Sequence, residues 1–432
     1  MKIPAFIKNN LLLKMTSLNA VVIGIRLVIS FFIQRLLASL VGEAGMSKVG
    51  QVRNLTELLG SFATLGVFSG IVKYVAEHKN DKEQLLRLFS TTFVFSILAI
   101  CATSLSLLIF AEPFSILLFN SADFVYLIRL FAIVVPAISI SRIFTGVVNG
   151  LSEYKKLAKI DLISYVLGSV LTVGMLISYN IDGALIAIAI TPVIQLLVLL
   201  FIFIKVLREY IHFSKLSFKI PMAKGLLAFS LMSFFSTVLI NYVEIDIRTM
   251  LIKRISESDA GIWTSISFIS KNYMAFAGSI FTLYVVPKFA AIYNGVDFKK
   301  EVLNIYKTLL PLFGVGMIVV FLFRNLIIDA IYPGFDDMAP LFKWQLMGDF
   351  IRLAALVLAH QFMAKKMVRN FIFSEVLSLG LFYGLAYYLS EIYGVEGVVM
   401  AHFIRYIIYF FVVLYLVFRY FRRGGGKREV IE

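Results

Sequence analysis

Only one cysteine, Cys101, stands in 432 residues, so no internal disulfide can form. The four histidines, His78, His212, His360 and His402, are scattered without ligand spacing, which speaks against a metal site. Charge is scarce. Asp, Glu, Lys and Arg make up 16% of the chain, where a soluble domain carries about 25%. Acids are the scarcer sign, 26 against 41 Lys and Arg. Long polar loops are missing too; the longest on the side poor in Lys and Arg is the 324–340 region with Asp329, Asp336 and Asp337. No cleavable signal peptide is expected, because the first apolar run is too long and Arg26 interrupts it. What is abundant is apolar: 60% hydrophobic residues and a mean hydropathy of +0.90, too much for one globular interior. The chain reads as a polytopic membrane protein.

About twelve segments are long enough to span a bilayer, near 11–38, 50–77, 86–111, 124–150, 158–179, 183–207, 224–251, 260–287, 304–323, 341–363, 370–390 and 396–418. Lys and Arg recur in alternate connections between them. The termini and one set of loops carry 26, and the opposite loops carry only Lys48, Lys253, Arg254, Arg324 and Lys343. The positive-inside rule then puts both termini in the cytoplasm, and an even number of spans agrees, since it leaves both termini on one side. Spread in this way, the net charge of +15 marks topology rather than a nucleic-acid surface.

The chain also repeats itself. SRIFTGVVNGLSEYKK aligns with IRLAALVLAHQFMAKK at an offset of 210, which matches Arg142 with Arg352 and Lys155 and Lys156 with Lys365 and Lys366. IDGALIAIAI resembles VEGVVMAHFI, with Gly183 opposite Gly397, and EAGMSKVGQV resembles DAGIWTSISF, with Gly45 opposite Gly261. The expected architecture is all-α: about twelve transmembrane helices in two six-helix bundles related by a pseudo-two-fold along the membrane normal. The boundaries are 1–208 for the first bundle, 209–223 for a basic cytoplasmic linker, 224–420 for the second bundle and 421–432 for a basic tail.

Some charges fall inside or at the edges of spans, where each costs roughly 2.5–3.5 kcal/mol on insertion scales. The bases Arg26, Arg53, Arg142, Arg248, Lys271, Arg352 and Arg405 outnumber the deeper acids Glu57, Glu244, Asp349 and Glu375, joined by Asp161 and Asp246. They fall on polar stripes. Asn19, Arg26, Ser30 and Gln34 share one helix face; so do Ser139, Arg142 and Asn149; so do Ser233, Ser236, Glu244 and Arg248. Such stripes face protein or water, not lipid. The spacing of Arg53–Glu57, Glu244–Arg248 and Asp349–Arg352 equally suits pairing within a helix, and Arg35, Lys73 and Arg129 suit snorkelling to an interface. Pairing still leaves a basic surplus in both halves, which points to a central cationic cavity suited to an anion such as a lipid phosphate. Gly60, Gly66 and Gly70 read as close-packing or bending positions, and Pro136 and Pro192 as kinks.

Two stretches carry a family resemblance: VRNLTELLGSFATLGVFSGIVKYVAEHKND and FKWQLMGDFIRLAALVLAHQFMAKKMVRNFIFSEV. With them the chain resembles the O-antigen translocases, lipid-linked oligosaccharide flippases of the multidrug/oligosaccharidyl-lipid/polysaccharide (MOP) exporter superfamily. The branch it looks most like handles the enterobacterial common antigen lipid. The resemblance spans nearly the whole chain and is specific for the branch, not for one glycan. It implies movement of an undecaprenyl-diphosphate-linked oligosaccharide from the cytoplasmic to the periplasmic leaflet of the bacterial inner membrane by alternating access. It also implies no cofactor, a proton or sodium ion as candidate counter-ion, and a polysaccharide polymerase and chain-length regulator as candidate partners beside membrane lipids. Position by position, Arg53, Lys73, Asp349 and Arg352 are the residues carried over. The family commonly has an acid near the position of Lys271, where this chain has a base.

Two alternatives differ in what they need. A multidrug extruder of the same superfamily binds cations and favours acids over bases in its pore. A membrane-embedded glycosyltransferase or polymerase needs acids or a base at the membrane face, usually on a sizeable loop. The basic surplus and the short loops disfavour both.

Overall fold

The structure is a computed structural model that describes residues 11–211 and 215–422. Lys2, Lys8, His212, part of the 209–223 linker and nearly all of the 421–432 tail lie outside the described residues, as do the side chains of Asn19, Ser233 and Ser236. Among the described residues every regular element is helical. In chain order they are α1 (Leu11–Phe62), α2 (Phe68–His78), α3 (Lys82–Ile109), α4 (Ala111–Phe119), α5 (Val125–Gly150), α6 (Tyr154–Tyr210), α7 (Ala223–Arg254), α8 (Glu257–Ile280), α9 (Val286–Ala291), α10 (Gly295–Leu322), α11 (Arg324–Ile331), α12 (Leu341–Ala364) and α13 (Val368–Arg422). Short polar side chains start several of them. Asp81 accepts from the Glu83 and Gln84 amides, Ser256 from Asp259 and Asn294 from Asp297, at 2.7–3.1 Å.

Seven helical stretches among the described residues are long and apolar enough to cross a membrane, so this is a multi-pass membrane protein. Three helices are too long for one crossing. α1, α6 and α13 have 52, 57 and 55 residues. Each would run roughly 80 Å if straight, against a hydrocarbon thickness of about 30 Å. Each is broken, α1 at Gly42 (φ 65°, ψ −171°), α6 at Tyr179–Asn180 and α13 at Gly394. The expected continuous span at 50–77 is corrected: it is interrupted between Phe62 and Phe68, where Leu65 and Gly66 adopt left-handed φ of 49° and 68°. Of the glycines in LGSFATLGVFSG, Gly66 makes the turn. The expected span at 260–287 follows α8 and then passes through a π-helical turn, Phe281–Val285, into α9. Pro136 and Pro192 lie inside α5 and α6 without ending them.

The repeat is visible in the backbone. α3 and α10 have 28 residues each; α4, α5 and α6 are followed in the same order by α11, α12 and α13. Gly150 and Ala364 end α5 and α12, and Tyr154 and Val368 begin the next helices, so the register here is 214 residues. The loops between them match bond for bond. Leu151, Ser152 and Glu153 donate to Val147, Asn149 and Val148, while Lys365, Lys366 and Met367 donate to Gln361, Met363 and Phe362. The later breaks match as well: Asn180 has φ 51°, ψ −138° and Gly394 has φ 58°, ψ −140°. The offset of 210 read from the sequence is therefore one helical turn short. Arg142 and Arg352 are not equivalent but lie a turn apart, roughly 6 Å, on corresponding helix faces.

A left-handed φ costs glycine little and asparagine more. Asn180→Gly is therefore expected to raise the thermal unfolding midpoint, by a stabilisation of about 1 kcal/mol. An unchanged or lowered midpoint in purified protein would show that the Asn180 side chain compensates for the conformation.

The chain divides into two compact units. Among the described residues, one holds Ser17–Val41 and Ser47–Thr249; the other holds residues 11–16, Gly42–Met46 and residues 250–422. In the first unit, Leu226 of α7 joins an apolar core with Val75, Leu88, Val147 and Phe203. The nearby Gly225 leaves room for the Tyr74 hydroxyl, which would lie 2.5 Å from a Cβ there.

Candidate functional site

In the unit that holds residues 250–422, a buried polar cluster forms around Asp349 on α12. Its carboxylate is fully buried. Oδ2 accepts from Ser270 Oγ at 2.5 Å, from the Tyr273 hydroxyl in a short bond and from Gln345 Nε2 at 3.0 Å. Oδ1 lies 3.0 Å from His402 Nε2 and 3.8 Å from Arg352 Nη1. Helix periodicity accounts for the convergence. Ser270 and Tyr273 are three apart on α8, and Gln345, Asp349 and Arg352 are four and three apart on α12. Gly348 lets α13 come close: a Cβ there would lie 2.5 Å from His402 Cδ2 and 3.2 Å from the Phe403 Cα.

A cationic layer continues from this cluster along α13. The Arg405 guanidinium lies 4.3 Å from the Phe382 ring centroid and 4.4 Å from that of Tyr406, whose hydroxyl it donates to at 2.8 Å. Arg352 lies 5.5 Å from the same Tyr406 ring, and its side chain is 24% exposed. Glu375 accepts from the Tyr409 hydroxyl at 3.1 Å. Lys271, next to Ser270, is exposed.

The other unit carries the remaining candidates. Arg142 on α5 pairs with Glu57 on α1 in a short ion pair, with both side chains partly open. Gly60 makes room for it, since a Cβ there would run into the guanidinium. Glu57 thus pairs across helices rather than with Arg53 on its own helix, a correction to one of the two readings left open by their spacing. With the Gln34 amide oriented to present its oxygen, both Nη atoms of Arg53 donate to it at 2.9 Å. Arg248 is only 2% exposed and donates to Gln51 Oε1 at 3.0 Å; Gln51 in turn donates to Leu118 O and Thr249 Oγ1, each at 3.0 Å. Glu244 accepts from Asn54 Nδ2 at 2.7 Å. Arg26 is exposed and lies 4.8 Å from the Tyr165 ring centroid. Outside the spans, Lys365 donates to Ala290 O at 2.9 Å and sits 3.7 Å from the Tyr293 centroid; burial pushes its ammonium pKa down.

The candidates therefore differ in access. Arg26, Arg142, Lys271 and Arg352 are open or partly open, while Arg248 and Arg405 are buried against their own unit. The sequence reading missed His402, Ser270, Tyr273 and Gln51. A signal for His402 was present: in the matched stretches it stands opposite Ile188, a histidine in place of an aliphatic residue. At the 214-residue register Asp349 stands opposite Val135. The polar cluster thus belongs to the second repeat alone.

Comparison with known proteins agrees with this fold. Residues 36–334 match the family described as polysaccharide biosynthesis protein. Curated relatives include the lipid III flippases of Escherichia coli (strain K12) and Shigella flexneri, each 29% identical over 384 residues, covering 87% of this chain and 91% of the relative. Among solved structures, an inward-facing multidrug resistance MATE family transporter of the MOP superfamily is similar with a TM-score of 0.75, at 16% identity over 93% of this chain and 96% of that one. Lipid II flippase MurJ in its inward closed conformation is similar with a TM-score of 0.72, at 15% identity over 94% and 89%. The fold is that of MOP-superfamily transporters.

Proposed function

The chain belongs to the polysaccharide biosynthesis protein family, and on that premise we propose that it is a flippase for a polyprenyl-diphosphate-linked oligosaccharide. It carries the lipid from the cytoplasmic to the periplasmic leaflet of the bacterial inner membrane, by alternating access and without catalysing a covalent step. The observation that carries this reading is the likeness to lipid III flippases over 87% of the chain. The basic surplus supports it over a multidrug exporter, because a diphosphate needs cations and a cationic drug needs acids.

The chemistry follows from solvation. A polyprenyl tail can stay in the bilayer. The sugars and diphosphate cannot, since each unpaired hydroxyl costs several kcal/mol in hydrocarbon. Arg26, Arg142, Lys271 and Arg352 are the residues proposed to meet the diphosphate. Arg53, Arg248 and Arg405 hold neighbouring side chains in place, and Glu57, Glu244, Asp349 and Glu375 act as counter-charges. The matching element order supports twelve crossings, six in each of 1–208 and 224–420, and the loop charges support cytoplasmic termini.

Complementation tests the proposal. In a strain lacking its own O-antigen or common-antigen flippase, the wild-type chain is expected to restore surface glycan. Arg352→Ala, Arg142→Ala and Arg26→Ala, at matched membrane levels, are each expected to lower it about tenfold, the loss of one charged hydrogen bond of ~1.5 kcal/mol. Full activity in all three variants would sink the residue assignment. No restoration in any of several glycan backgrounds would sink the function.

A further inference from the structure

A cavity of about 490 Å³ opens among α10, α12 and the later part of α13, all within one unit. Gly314 and Phe321 of α10, Met347 and Phe350 of α12, and Phe403 of α13 line it, with Lys343 at one end. Its size falls within the range of small-molecule sites, roughly 300–1,000 Å³. Its walls expose almost no polar surface. Gly314 keeps the far end open, because a Cβ there would press on the Phe350 ring at 3.3 Å.

The Lys343 end carries two cations. The Lys343 ammonium lies 4.6 Å from the Trp344 ring centroid, and that ring is fixed by an indole N–H donated to Glu396 Oε1 at 2.7 Å. The Arg324 guanidinium lies 4.4 Å from the centroid of Phe321, a wall residue, and donates to the Phe321 carbonyl at 2.9 Å. Neither cation has a carboxylate within ion-pair distance among the described residues. The groove is an apolar slot with a basic mouth.

Its length limits what fits. From Phe321 to Gly314 the helix rises roughly 10 Å, about a third of the ~30 Å hydrocarbon layer. The slot therefore stays within one leaflet. Apolar filling alone gives no preference in a membrane, where lipid tails are as apolar as leucine. Selection falls to the head, and two cations at the membrane surface favour an anion. We propose that this groove binds one acyl chain of an anionic glycerophospholipid, with its phosphate held by Lys343 and Arg324. The site does not involve the residues assigned to the carried lipid and stands whether or not that lipid is an oligosaccharide carrier.

Native mass spectrometry of the full chain in mild detergent tests it, with phosphatidylglycerol and phosphatidylcholine of the same acyl chains and a polyprenyl phosphate as probes. The tightest bound phosphatidylglycerol is expected to hold on the order of tenfold better than phosphatidylcholine. In the double variant Lys343→Ala, Arg324→Ala this one lipid is expected to fall to the phosphatidylcholine level. Met347→Trp, which fills the slot, is expected to release both lipids; Gly314→Leu serves if that variant melts early. Equal retention of the two phospholipids would overturn the proposal, as would a phosphatidylglycerol preference that survives the double variant. Tighter binding of polyprenyl phosphate, lost in Met347→Trp, would overturn the choice of occupant.

Discussion

Asp349→Ala is expected to remove most of the protein from the membrane fraction. The carboxylate is fully buried and receives Ser270, Tyr273, Gln345 and His402 at once, with Arg352 at 3.8 Å. Deleting it leaves several donors and a partly buried guanidinium facing an apolar methyl. Breaking a buried charge pair from one side costs about 3–5 kcal/mol, a large share of a typical total stability of about 5–15 kcal/mol. Asp349→Asn keeps the shape and one acceptor oxygen but turns an NH₂ toward existing donors, so an intermediate loss is expected. Membrane abundance and the thermal midpoint of purified protein read both. Normal abundance and melting in Asp349→Ala would mean that water or a shifted side chain replaces the carboxylate.

A second large effect is expected from adding a single methyl at either of two glycines. A Cβ on Gly183 would run into the Met175 carbonyl oxygen, and one on Gly397 into the Leu389 carbonyl oxygen. Both glycines sit three residues after the equivalent breaks at Asn180 and Gly394, where a helix folds back on its own preceding turn. The obstacle is backbone, so no side-chain rotation relieves it. Overpacking typically costs 1–3 kcal/mol, and about 3 kcal/mol or more is expected where backbone must move. Gly183→Ala and Gly397→Ala should lower the melting temperature by similar amounts, because the two turns share one geometry. Gly174→Ala and Gly384→Ala, where a Cβ meets nothing within 4 Å, should leave it unchanged. A large drop in one of the Gly183 and Gly397 variants and none in the other would show that the repeat is not structural at these turns.

These elements also show what the sequence made legible. Apolar run length was enough to reveal a multi-pass chain, since the bilayer constrains it, and short matched stretches were enough to reveal the internal repeat. The glycine match at Gly183 and Gly397 was legible because a tight backbone approach admits no other residue. The 210-residue match was misleading for a physical reason. A four-residue slip returns nearly to the same helix face, so it preserves the pattern of apolar and polar positions, and it is exposed by the helix ends, the loop hydrogen bonds and the later breaks. The interruption at Phe62–Phe68 was hidden because glycine serves close packing and turning equally well.

Pairing was the least legible level. Spacing showed that Glu57, Arg142, Asp349 and Arg352 share faces with other polar residues, but a face does not name its neighbour. Glu57 had Arg53 one turn away and took Arg142 from another helix. Asp349 was singled out as an expensive charge with Arg352 as its partner, and that pair is present at 3.8 Å. Of its closer contacts, Gln345 lies on the same face of α12, while Ser270, Tyr273 and His402 come from α8 and α13, which no spacing on α12 encodes. His402 carried the only visible hint, as a polar intruder opposite Ile188.

The most direct measurement is transbilayer movement by the purified chain. The protein would be reconstituted into vesicles holding a polyprenyl-diphosphate-linked oligosaccharide, and the fraction reached by an impermeant sugar-modifying enzyme followed over time. The expected result is that a protected half of the lipid becomes accessible with the wild-type chain, far more slowly with Arg352→Ala, and not in protein-free vesicles. A protected fraction that stays protected, with correctly folded protein and either direction of ion gradient applied, would contradict the flippase reading.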